Sequence, residues 1–175
     1  MMVVALFKGD FGYDMLYLLH ILTIVVGFGT TFAYPAYARR ARQLPPNEGY
    51  AISHTSLEVG KYLTTYVIWA AGLSGIILVA VGDAWEFSQA WVSIAFVLFF
   101  FGVLFSWFVH TPNLKQMDAL QAKLVAGEAA PPPGGGPPPE VAELQARGKR
   151  AGMTGGILHL VFLLLVIDMI WKPFL

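Results

Sequence analysis

No cysteine occurs in the 175 residues. That removes disulfides, thiolate catalysis, cysteine-ligated zinc and iron–sulfur clusters, and it leaves the redox compartment unread. Charge is scarce too: Asp, Glu, Lys and Arg make up 13% of the chain, about half the share of a soluble domain. The formal net charge is zero, so the overall balance gives no electrostatic case for nucleic acid. A nucleophile–base pair, a metal-ligand spacing and a phosphate loop are all missing. The opening MMVVALFKGDFG holds an apolar stretch too short for a signal peptide, with its lysine after that stretch, and reads as a mature N-terminus. What is abundant is apolar surface, with 57% hydrophobic and 14% aromatic residues.

Four stretches, approximately 13–36, 62–82, 90–110 and 154–172, approach the roughly 20 apolar residues that cross a hydrocarbon core of about 30 Å. Backbone groups in lipid must satisfy one another, and no ten-residue alternation marks a barrel strand, so the spans are helices. Trp91, Trp107 and Trp171 fall near span ends, where amphipathic rings favour the interface. The predicted fold is all-α, a polytopic membrane four-helix bundle forming one domain over 1–175. Of the eleven lysines and arginines, only Lys8 and Lys172 lie outside the two long loops, which join spans one to two and three to four. The positive-inside rule then predicts both termini outside and both long loops in the cytoplasm. The setting this implies is a bacterial inner membrane.

The second long loop contains PPPGGGPPP, residues 131–139, through which neither helix nor strand runs. Ahead of it Leu114, Met117, Leu120 and Leu124 recur at helical spacing after Pro112, a residue suited to a first turn. Behind it Glu143 and Arg147 have the spacing of a helical ion pair. Two arms of about 20–24 Å each predict a cytoplasmic helical hairpin extending helices three and four, with a flexible tip. Such a hairpin is a solvated spacer or a docking arm. In the first long loop Thr55 and Glu58 fit a capping box opening the second span, which gives His54 a structural setting and no chemistry.

Ionisable side chains inside lipid are costly, so each is a functional candidate: His20, His159, Asp168 and, at an edge, His110. His20 shares a helical face with Tyr13, Tyr17, Thr23, Gly27 and Thr31. Small and hydroxyl residues of this kind pack against neighbouring helices, which turns His20 into the bundle. In the second span Thr65, Trp69, Gly72 and Gly75 offer similar close approach. Imidazole ligates metals and haem iron. His20 is therefore a candidate ligand of haem b, or else a packed polar residue hydrogen-bonded within the bundle.

Depth separates the histidines. His20 lies about 10 Å below the outer face and His159 about 9 Å above the inner one. In a core of about 30 Å the mismatch is roughly 10 Å, which speaks against both binding one iron. Asp168 is closer in depth to His20 but about 180° around the helix from His159. Its spacing to Lys172 is that of an i,i+4 ion pair. Met169, also in the outer half, is a secondary candidate for completing a haem site. His110 is expected to end the third span at the inner headgroups.

The first span, LYLLHILTIVVGFGTTFAYPAYARRA, resembles the first helix of a group of small four-helix membrane proteins. The group comprises the family named domain of unknown function 2269, the copper-resistance CopD domain and the HemJ-type protoporphyrinogen oxidases. The shared features are the Leu19-His20-Ile21 start, a glycine-bearing middle and an exit into basic residues. The ending VIDMIWKPF resembles the Lys-Pro terminus of the unknown-function family and the Lys-Pro-Phe terminus of the oxidases, and the long loop is most similar to that of the former. The resemblance implies a haem-site role for His20, by analogy with the first-helix histidine of the oxidases. Two departures set the chain apart from those enzymes. Trp91 enters the third span without the oxidases' lysine, and the last span reads GILHLVFL in place of their Asn-Glu-x-Pro motif. No methionine or histidine cluster marks a copper route.

Two functional readings follow. In the first the protein is a non-catalytic subunit or scaffold of a membrane assembly. It would contact lipid and a membrane protein partner or a second copy of itself, and no nucleic acid. In the second it is a haem b-binding redox or electron-transfer protein using His20. A transport or proton-conducting role would need titratable groups at matched depths, which the sequence does not supply.

Overall fold

A chain this apolar satisfies its backbone by folding into helix almost throughout. The computed structural model describes residues 9–129, 132 and 134–174. The opening MMVVALFK, and with it the reading of a mature N-terminus, lies outside the described residues, as do position 130 and positions 131 and 133 of the proline–glycine tip. Among the described residues there is no strand. Four helical runs, Phe11–Ala41, Pro46–Val81, Ala90–Ala126 and Pro139–Trp171, are long and apolar enough to cross a membrane.

The first run comprises α1 (Phe11–Gly29), a 3-10 turn (Thr30–Ala33) and α2 (Tyr34–Ala41). The second comprises α3 (Pro46–Val59), a π turn (Gly60–Thr64) and α4 (Thr65–Val81). It starts well ahead of the apolar stretch, at Pro46, where a proline in the first turn leaves no donor unsatisfied and the Gly49 amide donates to the Pro45 carbonyl at 2.9 Å. Thr55 and Glu58 consequently lie mid-helix and form no cap, because preceding turns already supply carbonyls to their amides. The third run is α5 (Ala90–Phe105), a π turn (Ser106–His110) and α6 (Thr111–Ala126). His110 therefore sits in a widened turn of a continuing helix. The fourth, α7, spans Pro139–Trp171 without interruption.

The chain forms two compact units. The first consists of Met1–Phe32, Gly60–Phe101 and Val161–Leu175. Within it α1 lies along α4. Tyr13, His20 and Gly27 are the buried residues of α1, seven apart, so they fall in one line along the helix. Thr64, Ala71, Ser74 and Leu78 are buried on the opposing helix. Thr65 and Trp69, expected on this seam, face outward instead. The helix is rotated so that the residue before Thr65 packs inside, and Trp69 rests edge-on against Phe99 at 6.4 Å. Hydroxyls in the seam are satisfied locally: Thr23 donates to the Leu19 and His20 carbonyls, and Thr30 to that of Gly27. Phe28 stacks on Phe162 with centroids 4.3 Å apart, setting α1 beside α7. Few of these apolar side chains are covered. Only 11–22% of each span's most apolar window is buried, so the outer faces require a lipid solvent.

The second unit consists of Ala33–Val59 and Gly102–Leu160. Here α2 and α3 form a tight pair, and a side chain at Gly49 would collide with the Ala41 carbonyl oxygen. His54 on α3 meets Asp118 on α6 at 3.0 Å and rests beside Tyr50. The predicted antiparallel arms are present in α6 and the first half of α7, where buried Asn113 donates to the Arg147 carbonyl at 3.0 Å. Arg147 pairs with Glu143 at 2.7 Å.

Candidate functional site

The first unit holds a half-open cavity of about 340 Å³, within the range of small-molecule sites. Its wall is built from all four helices of that unit. His20 and Phe28 contribute from α1, Ala71 and Gly75 from α4, and Phe99 and Met169 from α5 and α7. The lining is almost wholly apolar, which makes the few polar atoms on it informative.

The imidazole of His20 is buried and its protonation is set by its neighbours. Nδ1 lies 3.0 Å from the Ala71 carbonyl oxygen and 3.0 Å from Ser74 Oγ. A carbonyl only accepts, so Nδ1 carries the proton. The Ser74 hydroxyl donates to the same Ala71 carbonyl at 3.0 Å, leaving its oxygen free to accept from Nδ1–H as well. All three groups are mutually consistent in this tautomer and in no other. The lone pair therefore belongs to Nε2, which has no hydrogen-bond partner among the described residues. A histidine whose far nitrogen donates to a backbone carbonyl has the support usual for a metal-ligating imidazole. Gly75 makes room for it: a Cβ there would lie 3.0 Å from His20 Cε1.

Met169 lines the same cavity. The Phe28–Phe162 stack fixes the register of the antiparallel α1 and α7. From that level His20 lies eight residues, about 12 Å, up its helix and Met169 seven residues, about 10 Å, up its own. The two side chains thus reach one cavity at nearly one depth. His159, ten residues and about 15 Å earlier on α7, belongs to the second unit and is half-buried there. In that unit His110 Nδ1 lies 2.7 Å from Thr154 Oγ1, whose own proton goes to the Arg150 carbonyl at 2.9 Å.

Asp168 is buried on the inner stripe of α7 with Val161 and Leu165, but it does not line the cavity. The expected ion pair with Lys172 is not formed. Both carboxylate oxygens lack a hydrogen-bond partner among the described residues. Lys172 leaves the end of α7 in a left-handed conformation, φ 44°, which carries its ammonium to 4.6 Å above the Trp85 ring and 5.7 Å from that of Trp91. Cation–π attraction takes the place of the helical pair.

Sequence patterning missed Ser74, Trp85 and Lys172 as members of this site. Ser74 did leave a trace, as the single hydroxyl-bearing residue between Tyr66 and Gly82. The Ala71 carbonyl left none, since a backbone acceptor has no side-chain signature.

A family model described as "Predicted integral membrane protein (DUF2269)" matches residues 14–173, a stretch that includes His20, Met169 and Lys172. No curated protein and no solved structure matches the chain.

Proposed function

This chain belongs to the DUF2269 family of multi-pass integral membrane proteins, and from that premise we propose that it binds haem b, which His20 would hold through Nε2. The observation that carries the proposal is the oriented imidazole. Nδ1–H is held by Ala71 and Ser74, and the unprotonated Nε2 belongs to a ring on the wall of an apolar cavity.

The residues present suit the group. A macrocycle needs flat apolar walls, and Phe28, Phe99, Trp85 and Trp91 are among the lining residues. Met169 supplies a thioether at matching depth, a second ligand type that haem iron accepts. Haem bound there would supply one-electron redox chemistry. The chain's own contribution is to fix the ring of His20 and its tautomer through the carbonyl it donates to, and to surround it with apolar walls. Redox traffic would be with the lipid phase or a membrane partner, and the positive-inside rule would put the basic loops in the cytoplasm and both termini outside it.

The test is an absorption spectrum of the full chain purified from haem-replete cells. A Soret band in the native protein, lost in His20→Ala, is the expected result. A colourless native protein overturns the proposal.

The reading as a subunit or scaffold is favoured by a different feature, the hairpin of α6 and α7. Its two arms are tied together by the Asn113 side chain donating to the Arg147 carbonyl, as those of a docking arm would be. Under that reading mild-detergent purification recovers a stoichiometric companion, and replacing 131–139 by a short turn loses it.

A further inference from the structure

Lys172 is the cationic side chain on the wall of the apolar cavity. It carries no ion pair among the described residues, and the acid one turn before it, Asp168, is turned away with both oxygens unpartnered. The ammonium is instead held in a fixed place. The Lys172 amide closes the last turn of α7 on the Asp168 carbonyl at 2.8 Å. The backbone then enters the left-handed region, which a residue with a side chain adopts only at a cost. The charge comes to rest on two indoles that stand edge to face, 5.1 Å apart. Trp91 is itself buried and anchored by its N–H to Gln89 Oε1 at 3.1 Å. The result is a pre-positioned cation with hydrogen-bond donors to spare at one end of an otherwise apolar chamber.

We infer that the cavity's occupant is an amphiphile with a carboxylate end, whose apolar body fills the chamber and whose carboxylate pairs with Lys172. An apolar molecule without a charged end would leave the ammonium unpaired. A cationic one would be repelled. A phosphate monoester brings a charge of about −1.5 to −2, more than one ammonium neutralises, whereas one carboxylate matches it. The inference rests on the reading of this cavity as a ligand site, and haem, with its carboxylate edge, is one molecule of the class.

The experiment uses a probe that contains no iron, so that its outcome is separate from that of the absorption spectrum. The full-length protein in nanodiscs of zwitterionic lipid is irradiated with a diazirine-bearing palmitic acid or with its methyl ester, and labelled peptides are mapped by mass spectrometry. The acid is expected to label the cavity segments around Trp91 and Met169 about tenfold more than the ester does, the margin of one charge-assisted bond. Lys172→Gln should reduce acid labelling to the ester's level, while Lys172→Arg retains it. Retention in the arginine variant excludes a general folding defect. Equal labelling by acid and ester in the native protein overturns the inference, as does an undiminished preference in Lys172→Gln. A missing Soret band with the acid preference intact would remove haem and leave the carboxylate site standing.

Discussion

His20 and Ala71 lie 51 residues apart in the chain, yet the imidazole Nδ1 of one is 3.0 Å from the carbonyl oxygen of the other. That carbonyl is the residue-independent part of the site. It fixes the tautomer whatever side chain stands at position 71, and Ser74 reinforces it from the next turn. The consequences divide between ring position and ring protonation, and they are separable by mutation.

Ser74→Ala leaves the Ala71 carbonyl in place, so the tautomer survives while the ring loses one acceptor. The expected cost is about 1 kcal/mol of stability, with cofactor affinity weakened on the scale of about 10–100-fold seen for outer-shell partners. Gly75→Val acts differently, by driving branched carbons into the space His20 Cε1 occupies. It should abolish binding altogether. Haem titration of the two variants checks this; an unaffected Gly75→Val protein would show that the ring can move aside without consequence.

Asp168 is a burden that the fold carries without any described hydrogen bond to offset it. Replacing it with leucine, which suits its neighbours Val161 and Leu165, should leave stability unchanged or raise it by about 1–3 kcal/mol. Thermal unfolding in detergent measures the change. A marked loss of stability would mean that the carboxyl has a partner outside the described residues.

His54 and Asp118 make an interhelical contact at 3.0 Å, but the histidine is half-exposed, with 46% of its side chain accessible. Water therefore screens the pair. A double-mutant cycle of His54→Ala and Asp118→Ala should return a coupling below about 1 kcal/mol. A coupling above about 2 kcal/mol would require the pair to be shielded by something bound over it.

Topology is open to direct attack at the proline–glycine tip. A protease site inserted at Gly134–Gly136 should be cut in inverted vesicles and protected in intact spheroplasts, because the flanking arms hold the basic residues Lys123, Arg147, Lys149 and Arg150. Cleavage from outside would reverse the orientation of every span.

The amino-acid order was enough for the helical class, the four spans, the hairpin arms and the inward direction of His20, because each depends on local quantities. Apolar run length measures the bilayer, proline and glycine interrupt helices, and a hydroxyl-rich stripe marks a packing face. Helix rotation was less legible. Thr65 and Trp69 look inward on spacing alone, and only packing of α4 against α1 decided that Thr64, Ala71 and Ser74 do. The partners of the chemistry were not legible at all. The i,i+4 spacing of Asp168 and Lys172 predicts a pair, and the competing attraction of two indoles from another part of the chain took the lysine away. A helix specifies its own neighbours three and four residues off, whereas which backbone carbonyl meets an imidazole, or which ring meets an ammonium, depends on how separate helices are turned and set in register.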